Sequence, residues 1–583
     1  MFELLGSVYE WDIEVISQYY GLINFMLLIT AVIILISSLD DFLIDIIFWV
    51  RTAYRKLFAK EKHSPVAVQT LMNNPEKPAA IMVPAWQEFD VITQMIETNM
   101  SFVKYDNYVF FVGVYQNDHK TQAEVDKLAS KYPTVKKVVV PHDGPTCKAD
   151  CLNWIIKAIF LYENQINKKF EMIIMHDSED VIHPLELKMF NHFVSNNDLI
   201  QIPVRGLTSK WNDFVRGSYV DEFSEFHSKE IPVRGMLTKI VPSAGVSTCF
   251  SRKAILILAE DNEQQVFNTS SLTEDYDISH RLHRANKLLT NGSRKSARQS
   301  FMVLPVSTSF TQHIHDSYES KQTEKKVPIA CSEYFPSRLW LAVRQKTRWN
   351  IGIFFQAMSL THWRSGNAWA KYFFIHERKG IITNLIMLPG YFLAFNILCF
   401  RFFENYLGFP EYVFDLPQWL LFANLALMIN RAVQRCYFTT TLYNWREGIL
   451  SIPRIIVSNV INFCATFRAT WIYTEHLITK KRIAWDKTTH EFPSTEVSQA
   501  NYERLGSLLV EKGVISQSCL QEVLEEQKES TKALDQILLE KGFVNVNDLL
   551  DVLAIQASHA KRDQHLAMQA KHAKSDSHMG NAA

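Results

Sequence analysis

Four apolar stretches stand out along the chain, one near its beginning and three in its second half. The first, residues 19–39, has twenty-one residues without a charge, and the second, residues 381–400, has twenty. A helix of about 20 apolar residues covers the hydrocarbon core of a bilayer, so both stretches predict membrane-spanning helices. Residues 416–430 form a shorter third candidate, which ends at Arg431 and Arg435.

The fourth stretch, residues 455–473, has a different pattern. Ser458, Asn462, Thr466 and Thr470 follow one another at intervals of four and give it a polar stripe on one side. A single polar face favours a helix that lies on the bilayer surface, or packs against other helices, over a lone span. We therefore expect three crossings, made by the first three stretches.

The basic residues predict the orientation of the first helix. No Lys or Arg precedes residues 19–39, which argues against a cleaved signal peptide. The first basic residue is Arg51, and Arg55 and Lys56 follow closely. The positive-inside rule then puts the N-terminus outside and residue 51 onward in the cytoplasm. Residues 42–50 are too short to span and are expected at the membrane interface.

In the roughly 330 residues between the first two predicted spans, short apolar runs typical of strands alternate with segments of helical spacing. Short apolar runs predict buried strands at 79–84, 108–114, 135–140 and 171–176, and helical spacing occurs at 90–103, 121–132 and 149–162. Strands that alternate with helices indicate a doubly wound α/β domain, whose ligands bind beyond the carboxyl ends of the strands.

Acidic residues follow these strands closely. Glu88 and Asp118 come after the first two strands, and Asp177, Glu179 and Asp180 come after the fourth, in MHDSEDVIHP. Clustered carboxylates suit a hard divalent cation, which prefers oxygen ligands. The alternative is an acidic loop that caps the following helix.

Two further motifs carry candidate chemistry. In SLTEDYDISHRLHR, Glu274 and Asp275 precede an amphipathic helix, where a carboxylate can act as a general base or can simply favour the helix dipole. In RQKTRWNIG, Gln345, Arg348 and Trp349 lie near the second span. Arg suits a diphosphate and Trp a sugar face, but an Arg/Trp pair also anchors proteins at membrane interfaces.

The order of these motifs over residues 78–480 resembles glycosyltransferase family 2, specifically the membrane-embedded processive synthases. Their series of Asp, Asp-x-Asp, Thr-Glu-Asp and Gln-x-x-Arg-Trp is matched in sequence order. The resemblance implies an α/β fold of the GT-A type and transfer of sugar, with inversion, to a growing polysaccharide. The implied donor is a nucleotide-sugar, such as a UDP-linked N-acetylhexosamine or hexose, and the implied metal is Mg²⁺ or Mn²⁺.

The resemblance also implies roles for individual residues. It assigns donor contacts to Glu88, Asp118, Lys148 and Asp150, the metal to Asp177 with Glu179 or Asp180, the base to Asp275 beside Glu274, and the acceptor and diphosphate side to Gln345, Arg348 and Trp349. The metal motif departs from a plain Asp-x-Asp, so the choice between Glu179 and Asp180 stays open.

The chain repeats itself near its C-terminus. Residues 504–527 and 533–556 align without gaps at a period of 29, and both copies carry an EKG that predicts a helix-ending Gly, at Gly513 and Gly542. Such a repeat predicts two helical units that cover each other's apolar faces. A plain dimerisation or docking module is one interpretation.

The repeat spacing also resembles the MshEN domain, which binds cyclic di-GMP. The matching positions are Arg504, Leu505, Gly506, Leu509, Gly513, Ile515, Leu534, Leu538 and Gly542. The second copy departs from the pattern, because Ala533 and Asp535 stand where the first has Arg504 and Gly506. The resemblance implies cyclic di-GMP as an activator.

The combined order of domains resembles inner-membrane glycosyltransferases of bacterial exopolysaccharide and phage-adsorption systems, which implies a possible outer-membrane export partner. The expected divisions are an anchor at 1–62, a catalytic domain at 63–375, membrane and interfacial helices at 376–475, a linker at 476–500, the MshEN-like domain at 501–557 and a flexible tail at 558–583. We expect the catalytic and C-terminal domains in the cytoplasm.

Composition excludes some alternatives. Lys and Arg total 61, as do Asp and Glu, which argues against a nucleic-acid binder. The 47% of apolar residues argues against disorder, and the eight Cys do not form a zinc motif. Two rival functions stay open: a single-transfer enzyme that glycosylates a lipid carrier, and a catalytically silent cyclic di-GMP receptor that scaffolds a larger complex.

Overall fold

The computed structural model describes most of the chain up to residue 481 and parts of the C-terminal repeat. The described residues are 2–58, 66, 68–208, 210–261, 265–289, 298–307, 326–357, 367–407, 411–481, 483, 492, 509–510, 514–516, 518–520, 522–523 and 534–544. The helices are α1 (Phe2–Phe58), α2 (Val68–Met72), α3 (Ile92–Phe102), α4 (His119–Lys131), α5 (Lys148–Ile166), α6 (Glu186–Phe193), α7 (Phe214–Glu225), α8 (Ile231–Thr238), α9 (Arg252–Asp261), α10 (Glu274–Leu289), α11 (Leu339–Asn350), α12 (Ala368–Leu407), α13 (Gln418–Leu442), α14 (Trp445–Thr479) and α15 (Leu534–Glu540). Two π-helical turns, Phe226–Glu230 and Ile351–Gln356, continue α7 and α11.

The strands of the central domain form one large sheet and two small ones. They are β1 (Ala79–Pro84), β2 (Tyr108–Tyr115), β3 (Val135–Val140), β4 (Met172–Met175), β5 (Leu199–Gln201), β6 (Val204–Gly206), β7 (Thr248–Ser251), β8 (Gln299–Phe301), β9 (Pro305–Ser307), β10 (Lys326–Pro328) and β11 (Cys331–Glu333). The large sheet has the order β3-β2-β1-β4-β7-β5-β8, with β6 and β11, and β9 and β10, paired separately. The predicted α/β class and its first four strands are confirmed.

The sheet is mixed rather than wholly parallel. Ala79 on β1 pairs in parallel with Tyr108 on one side and Met172 on the other, whereas β7 runs antiparallel to both β4 and β5. Alternate residues of β1 enter different cores: Ile81 and Val83 pack on one face, and Ala80 and Met82 on the other. Burial on both faces explains why this strand is continuously apolar.

The N-terminal helix is longer than its sequence pattern suggested. Helix α1 continues without interruption for 57 residues, so residues 42–50 belong to the same helix as residues 19–39, and their location at the membrane interface stays a prediction. The C-terminal part of α1 stays helical because it packs on other helices. Asp40 accepts a hydrogen bond from Tyr372 at 2.6 Å, and the Trp49 indole donates one to Gln434 at 3.2 Å.

Within the part of the chain that the structure describes, three helices are long and apolar enough to cross a membrane: residues 14–58 of α1, residues 368–406 of α12, and all of α14. The first two agree with the prediction. The third differs, because α14 contains the stretch with the polar stripe, whereas α13, which contains residues 418–430 of the predicted span, is less apolar. Arg431 and Arg435 fall within α13 itself and lower its mean hydropathy.

Neighbours along α1 show how α13 is placed. The Asn24 amide donates to the carbonyl of Val413 at 3.0 Å, and Asn424 donates to the carbonyl of Ala31 at 3.1 Å. Further along, Asn430 donates to Asp45 at 2.7 Å. Residue numbers increase in the same direction along both segments, so α13 runs parallel to α1 through its apolar stretch.

Charged residues join the central domain to the long helices. We call Asp45, Glu225, Lys229 and Arg435 the interface cluster. The Lys229 ammonium lies 2.5 Å from Asp45 and 2.6 Å from Glu225, and the Arg435 guanidinium lies 2.6 Å from Glu225. All four are buried. Two carboxylates therefore face two cations, and the charge is balanced.

The described part of the C-terminal repeat supports two equivalent units. Val514 donates its backbone N–H to the carbonyl of Leu509 at 2.9 Å, and Phe543 donates to Leu538 at 3.0 Å, which is the same bond 29 residues later. Leu509 and Leu538 share one apolar cluster with Ile515 and other residues of both copies. Gly542 has φ +68° just after α15, as expected for a helix-ending Gly.

Candidate active site

Three segments that are distant in sequence meet at one ammonium group. Lys148, at the start of α5, lies 2.6 Å from Asp177 Oδ1 in the loop after β4 and donates to the carbonyl of Gly245 at 3.0 Å. Its electrostatic partners also include Glu274 and Asp275 at the start of α10. We call Lys148, Asp177, Glu274 and Asp275 the carboxylate cluster. Three of its members are acids and one is a base.

Gly245 brings the third segment close to Asp275. It has φ +79°, and a Cβ at this position would lie 2.7 Å from Asp275 Oδ2. Glycine is therefore required both by the backbone conformation and by the close approach. Asp275 also accepts a hydrogen bond at 2.8 Å from the N–H of Tyr276, in the first turn of α10. Ile278 and Leu282 on the inner face of α10 are buried and fix this helix against the sheet.

The cluster shifts the pKa of its members. Burial and the adjacent Asp275 raise the pKa of Glu274 to about 8, despite the opposing effect of Lys148. Burial and Asp177 likewise raise the pKa of Asp275, although Lys148 lowers it. Burial alone would lower the pKa of Lys148, but Asp177, Glu274 and Asp275 outweigh it and raise the pKa. One ammonium does not neutralise three carboxylates.

Asp180 is turned into the domain, away from this cluster. It is fully buried, and its Oδ2 lies 2.7 Å from His176 Nδ1 and accepts the N–H of Asp177 at 3.0 Å. The other ring nitrogen of His176 is 3.0 Å from Glu186 Oε1. Burial would lower the pKa of His176, but these two carboxylates raise it to about 10. A protonated imidazole between two acids holds the acidic loop in place.

The motif search missed Glu333. It ends β11, whose Ser332 exchanges two backbone hydrogen bonds with Val181, at 2.8 and 3.0 Å, next to the acidic loop. Burial and the carboxylates of Asp180, Glu179 and Asp177 raise the pKa of Glu333. Glu333 is the last residue of a strand of three residues, which is too short to be recognised from its pattern, so the sequence contains no clear signal for it.

Glu88 and Asp118 lie at the ends of β1 and β2, as predicted. The Gln87 N–H donates to Asp118 Oδ2 at 2.5 Å, and the Thr121 N–H donates to Asp118 Oδ1 at 3.3 Å, so Asp118 caps α4 and ties the two loops together. The N–H of Glu88 donates to Thr121 Oγ1 at 3.0 Å. Glu88 and Asp118 therefore lie in two loops that are hydrogen-bonded to each other at one edge of the sheet.

Asp150 belongs to this edge rather than to the carboxylate cluster. It accepts a hydrogen bond from Thr146 Oγ1 at 2.7 Å and lies 3.3 Å from His142 Nε2. Thr146 in turn lies 2.7 Å from the hydroxyl oxygen of Tyr115, at the end of β2.

Helix α11 brings the Gln345 motif against the start of α10. A side chain at Gly352, just after α11, would collide with Thr273, and the N–H of Leu272 donates to Gln356 at 2.8 Å. Among the described residues, the amide oxygen of Gln345 is buried without a hydrogen-bond partner, and Arg348 makes no ion pair.

The Trp349 ring has protein neighbours. Its centroid lies 6.1 Å from those of both Tyr219 and Phe223 on α7. Trp349 is half-buried in the same apolar cluster as Phe335 and Ile461. These contacts favour a packing role for one side of the ring over the predicted stacking on a sugar.

The predicted cyclic di-GMP positions fall partly within the described residues. Leu509, Ile515 and Leu538 are buried in the core of the repeat, which indicates packing. Leu534 begins α15 and Gly542 follows it. Arg504, Leu505, Gly506 and Gly513 lie outside the described residues.

Comparison with known proteins relates this chain to transferases. Residues 75–352 match the family model described as glycosyltransferase like family 2. Over 556 residues the chain is 39% identical to bacteriophage adsorption protein B of Escherichia coli K12, which covers 94% of this chain and 72% of that relative. The bacteriophage N4 adsorption protein B of Escherichia coli O157:H7 matches to the same extent.

Solved structures resemble the chain more loosely. A mannosyltransferase from Pyrobaculum calidifontis, in complex with GDP-Man and Mn²⁺, covers 72% of this chain and 98% of its own, at 13% identity and a TM-score of 0.39. Residues 1–349 of TarS from S. aureus cover 72% and 97%, at 11% identity and a TM-score of 0.29.

Proposed function

The chain belongs to glycosyltransferase family 2, together with the bacteriophage adsorption proteins B, and from that premise we propose a specific reaction for it. It transfers a sugar from a nucleotide-sugar, of the UDP-linked N-acetylhexosamine or hexose class, to a growing polysaccharide. The transfer inverts the configuration at the anomeric carbon. The enzyme acts at the bacterial inner membrane.

The meeting of three acids at Lys148 carries this proposal. The loop after β4 and the turn at Gly245 are encoded far apart, yet both contact this one ammonium group, and the acids at the start of α10 interact with it electrostatically. A buried excess of negative charge is costly unless a ligand offsets it. The cluster lies at the carboxyl end of β4, where ligands of open α/β sheets bind.

The side chains present fit a divalent cation. Asp177 is half-buried and Glu179 buried, and both offer the carboxylate oxygens that Mg²⁺ and Mn²⁺ prefer. Asp180 is occupied by His176, so Glu179 is the better second ligand after Asp177. Bound there, the cation would supply positive charge to the diphosphate of the donor.

Asp275 is the proposed base. Its raised pKa makes it a stronger proton acceptor than an exposed carboxylate, and Gly245 holds it in place. An acceptor hydroxyl gives its proton to Asp275 while its oxygen forms a bond to the anomeric carbon of the donor. The bond from that carbon to the diphosphate breaks, and the nucleoside diphosphate leaves with the electron pair.

The other predicted residues take binding roles. Glu88, Asp118 and Asp150 shape the edge where the nucleotide lies, and Lys148 and Arg348 face the diphosphate. The buried amide oxygen of Gln345 has no hydrogen-bond partner among the described residues, which supports a hydrogen bond to a hydroxyl of the acceptor, because such groups are normally satisfied. Glu274 adds a second acidic group next to Asp275 and so influences the charge around the proposed base.

We assign the crossings to α1, α12 and α13. Helix α13 runs beside α1 through its apolar stretch, so the two cross the same layer. The exposed side chains of α14 include Ile449, Ile452 and Ile456, while its polar stripe faces protein. That division suits a helix at the membrane surface. The catalytic domain and the C-terminal repeat then lie in the cytoplasm.

Regulation and export complete the proposal. The C-terminal repeat at 501–557 binds cyclic di-GMP and stimulates transfer, as its resemblance to MshEN suggests. The product passes to an outer-membrane export partner, and the same system serves phage adsorption, as the names of the relatives suggest.

A donor screen tests the reaction. Detergent-purified protein receives each common nucleotide-sugar with Mg²⁺ or Mn²⁺, with and without cyclic di-GMP, and released nucleoside diphosphate and product length are measured. We expect release with one donor and loss of that release, by about a thousandfold or more, in Asp275→Asn.

Two controls separate the alternatives. Asp277→Asn changes an acid on the same helix that is paired with Arg281, and it should retain transfer. A product one sugar long would indicate single transfer to a carrier. Absence of release with every donor, or full activity in Asp275→Asn, would contradict the proposed reaction and favour a silent receptor.

A further inference from the structure

The polar stripe on α14 has partners that its sequence did not reveal. We propose that Ser458, Asn462 and Thr466 form a seat for α11, and that this seat positions Gln345 and Arg348 for transfer. These residues act through α11 and do not touch the substrate. The proposal rests on the proposed function, because it concerns the helix that carries two of its binding residues.

The first contact of the seat is a buried network around Lys346. Its ammonium donates to Glu222 Oε2 at 2.5 Å and to Asn462 Oδ1 at 2.8 Å. Ser458 donates to the other oxygen of Glu222, and Asn462 donates to that oxygen at 3.3 Å. Glu222 belongs to α7, so one network ties α7, α11 and α14 together.

The second contact is at Thr466, which is fully buried. Its hydroxyl oxygen accepts the amide of Asn350, at the end of α11, at 3.0 Å. It also accepts the amide of Asn384, on the long helix α12, at 3.0 Å. One hydroxyl group therefore joins the Gln345 helix to a membrane helix. The Thr347 hydroxyl adds a bond of 3.4 Å to the carbonyl of Ala465.

The seat holds the side of α11 opposite to the binding residues. At about 3.6 residues per turn, Gln345 and Arg348 lie on one side of the helix, and Lys346, Thr347 and Asn350 lie on the other. Bonds on the seated side fix the rotation of α11 about its axis. The same rotation sets where Gln345 and Arg348 point.

Small errors of position have large effects on transfer. A displacement of about 1 Å in a positioned group can cost on the order of a hundredfold in rate. Arg348 acts most on the charge that develops on the leaving diphosphate, so a loosened seat lowers kcat more than it raises the donor KM.

Thr466→Val and Thr470→Val form a matched pair for the test. Both replace a hydroxyl by a methyl on the same stripe of the same helix. Among the described residues, the Thr470 hydroxyl bonds only to the carbonyl of Thr466 in its own helix, at 2.8 Å, whereas Thr466 reaches two other helices. Valine keeps the shape, so both variants should fold.

We expect Thr466→Val to lower kcat about five- to tenfold, with the donor KM changed less than twofold, and Thr470→Val to match the wild type. Lys346→Met should lower kcat further, and Lys346→Met/Glu222→Gln should recover part of the loss because it removes both charges. Each variant is measured as monodisperse protein of known folded fraction.

The outcomes distinguish the two proposals. Active wild type with equal kcat in Thr466→Val and Thr470→Val would overturn the seat and leave the reaction standing. A fall in the folded fraction of Thr466→Val without a fall in kcat would show a purely structural role and would also overturn it. Wild type that turns over no donor would overturn the proposed reaction and this inference with it.

Discussion

Two groups of charged residues, one buried and one partly buried, differ in their balance of charge. The interface cluster joins Asp45 and Glu225 to Lys229 and Arg435, two acids to two bases. The carboxylate cluster has three acids around Lys148. Buried ions are stable when paired and costly when they are not. The balanced cluster pairs each acid with a base of the protein, whereas the unbalanced one is where we propose that a cation and the donor diphosphate bind.

Removing Lys148 should give the largest effect. Lys148→Met leaves three carboxylates without a protein cation, and we expect transfer to fall by at least a hundredfold, because a charge that stabilises the departing diphosphate is lost. Nucleoside diphosphate release measures the change. Lys253→Met, an exposed lysine 3.5 Å from Asp198, is the control and should leave release unchanged. Retained transfer in Lys148→Met would show that the imbalance has no catalytic meaning.

Breaking the interface cluster should mainly lower stability. Arg435→Met leaves a buried acid in excess, and we expect the free energy of unfolding to fall by about 3–5 kcal/mol. Glu225→Gln/Arg435→Met removes one charge of each sign and should regain part of that loss. Denaturation in detergent, followed by tryptophan fluorescence, measures both. Equal stability in the single and double variants would contradict a balanced network.

Removing a charge from the carboxylate cluster should raise the free energy of unfolding rather than lower it. Glu274→Gln removes one of three neighbouring buried acids, so we expect the free energy of unfolding at pH 7.5 to rise by about 1–3 kcal/mol. The same measurement applies, without added divalent cation. A loss of stability would mean that Glu274 is already neutralised by groups of the protein.

The dependence of stability on pH should also differ between the two regions. The pKa of Glu274 is about 8, so its contribution favours the folded state below its usual value of 4.5 and is lost as pH rises toward 8. Next to the interface cluster, burial lowers the pKa of His227 to about 4, so its contribution is present above pH 6.5 and is lost as pH falls toward 4.

Thermal unfolding over pH 5–8 measures how stability depends on pH on the acid side and on the alkaline side. His227→Asn keeps an acceptor for the N–H of Val204, which lies 2.8 Å from His227 Nδ1, and should remove about 1 kcal/mol of acid destabilisation between pH 6.5 and 5.5. The same variant should leave the dependence of stability on pH above pH 7 unchanged. A change confined to the alkaline side would contradict the burial of a neutral imidazole.

Much of the catalytic domain was predictable from local pattern. The runs at 79–84 and 135–140 coincide with β1 and β3. Strand β1 is continuously apolar because both of its faces are buried, whereas β3 lies at the edge of the sheet and combines four Val with two Lys. The acids after β1, β2 and β4 lie where parallel strands place them. The repeat period of 29 predicted equivalent backbone bonds at Leu509 and Leu538.

Other features depended on partners that are distant in sequence. The continuity of α1 through residues 42–50 depends on such partners, since Asp45 in this part of the helix is paired with Lys229. The antiparallel strand β7 and the carboxylate of Glu333 follow from pairings that no local pattern encodes. The stripe on α14 was correctly seen as a packed polar face, but its partners were not.

The sequence by itself determined which segments are strands, which helices are apolar, and which acids follow strand ends, because periodicity and burial act over a few residues. Only the tertiary structure decided that Asp180 turns toward His176 while Asp177 faces Lys148, and that Thr466 joins α11 to α12. Those choices depend on charges and hydrogen-bonding groups that approach within about 3 Å only after the chain has folded.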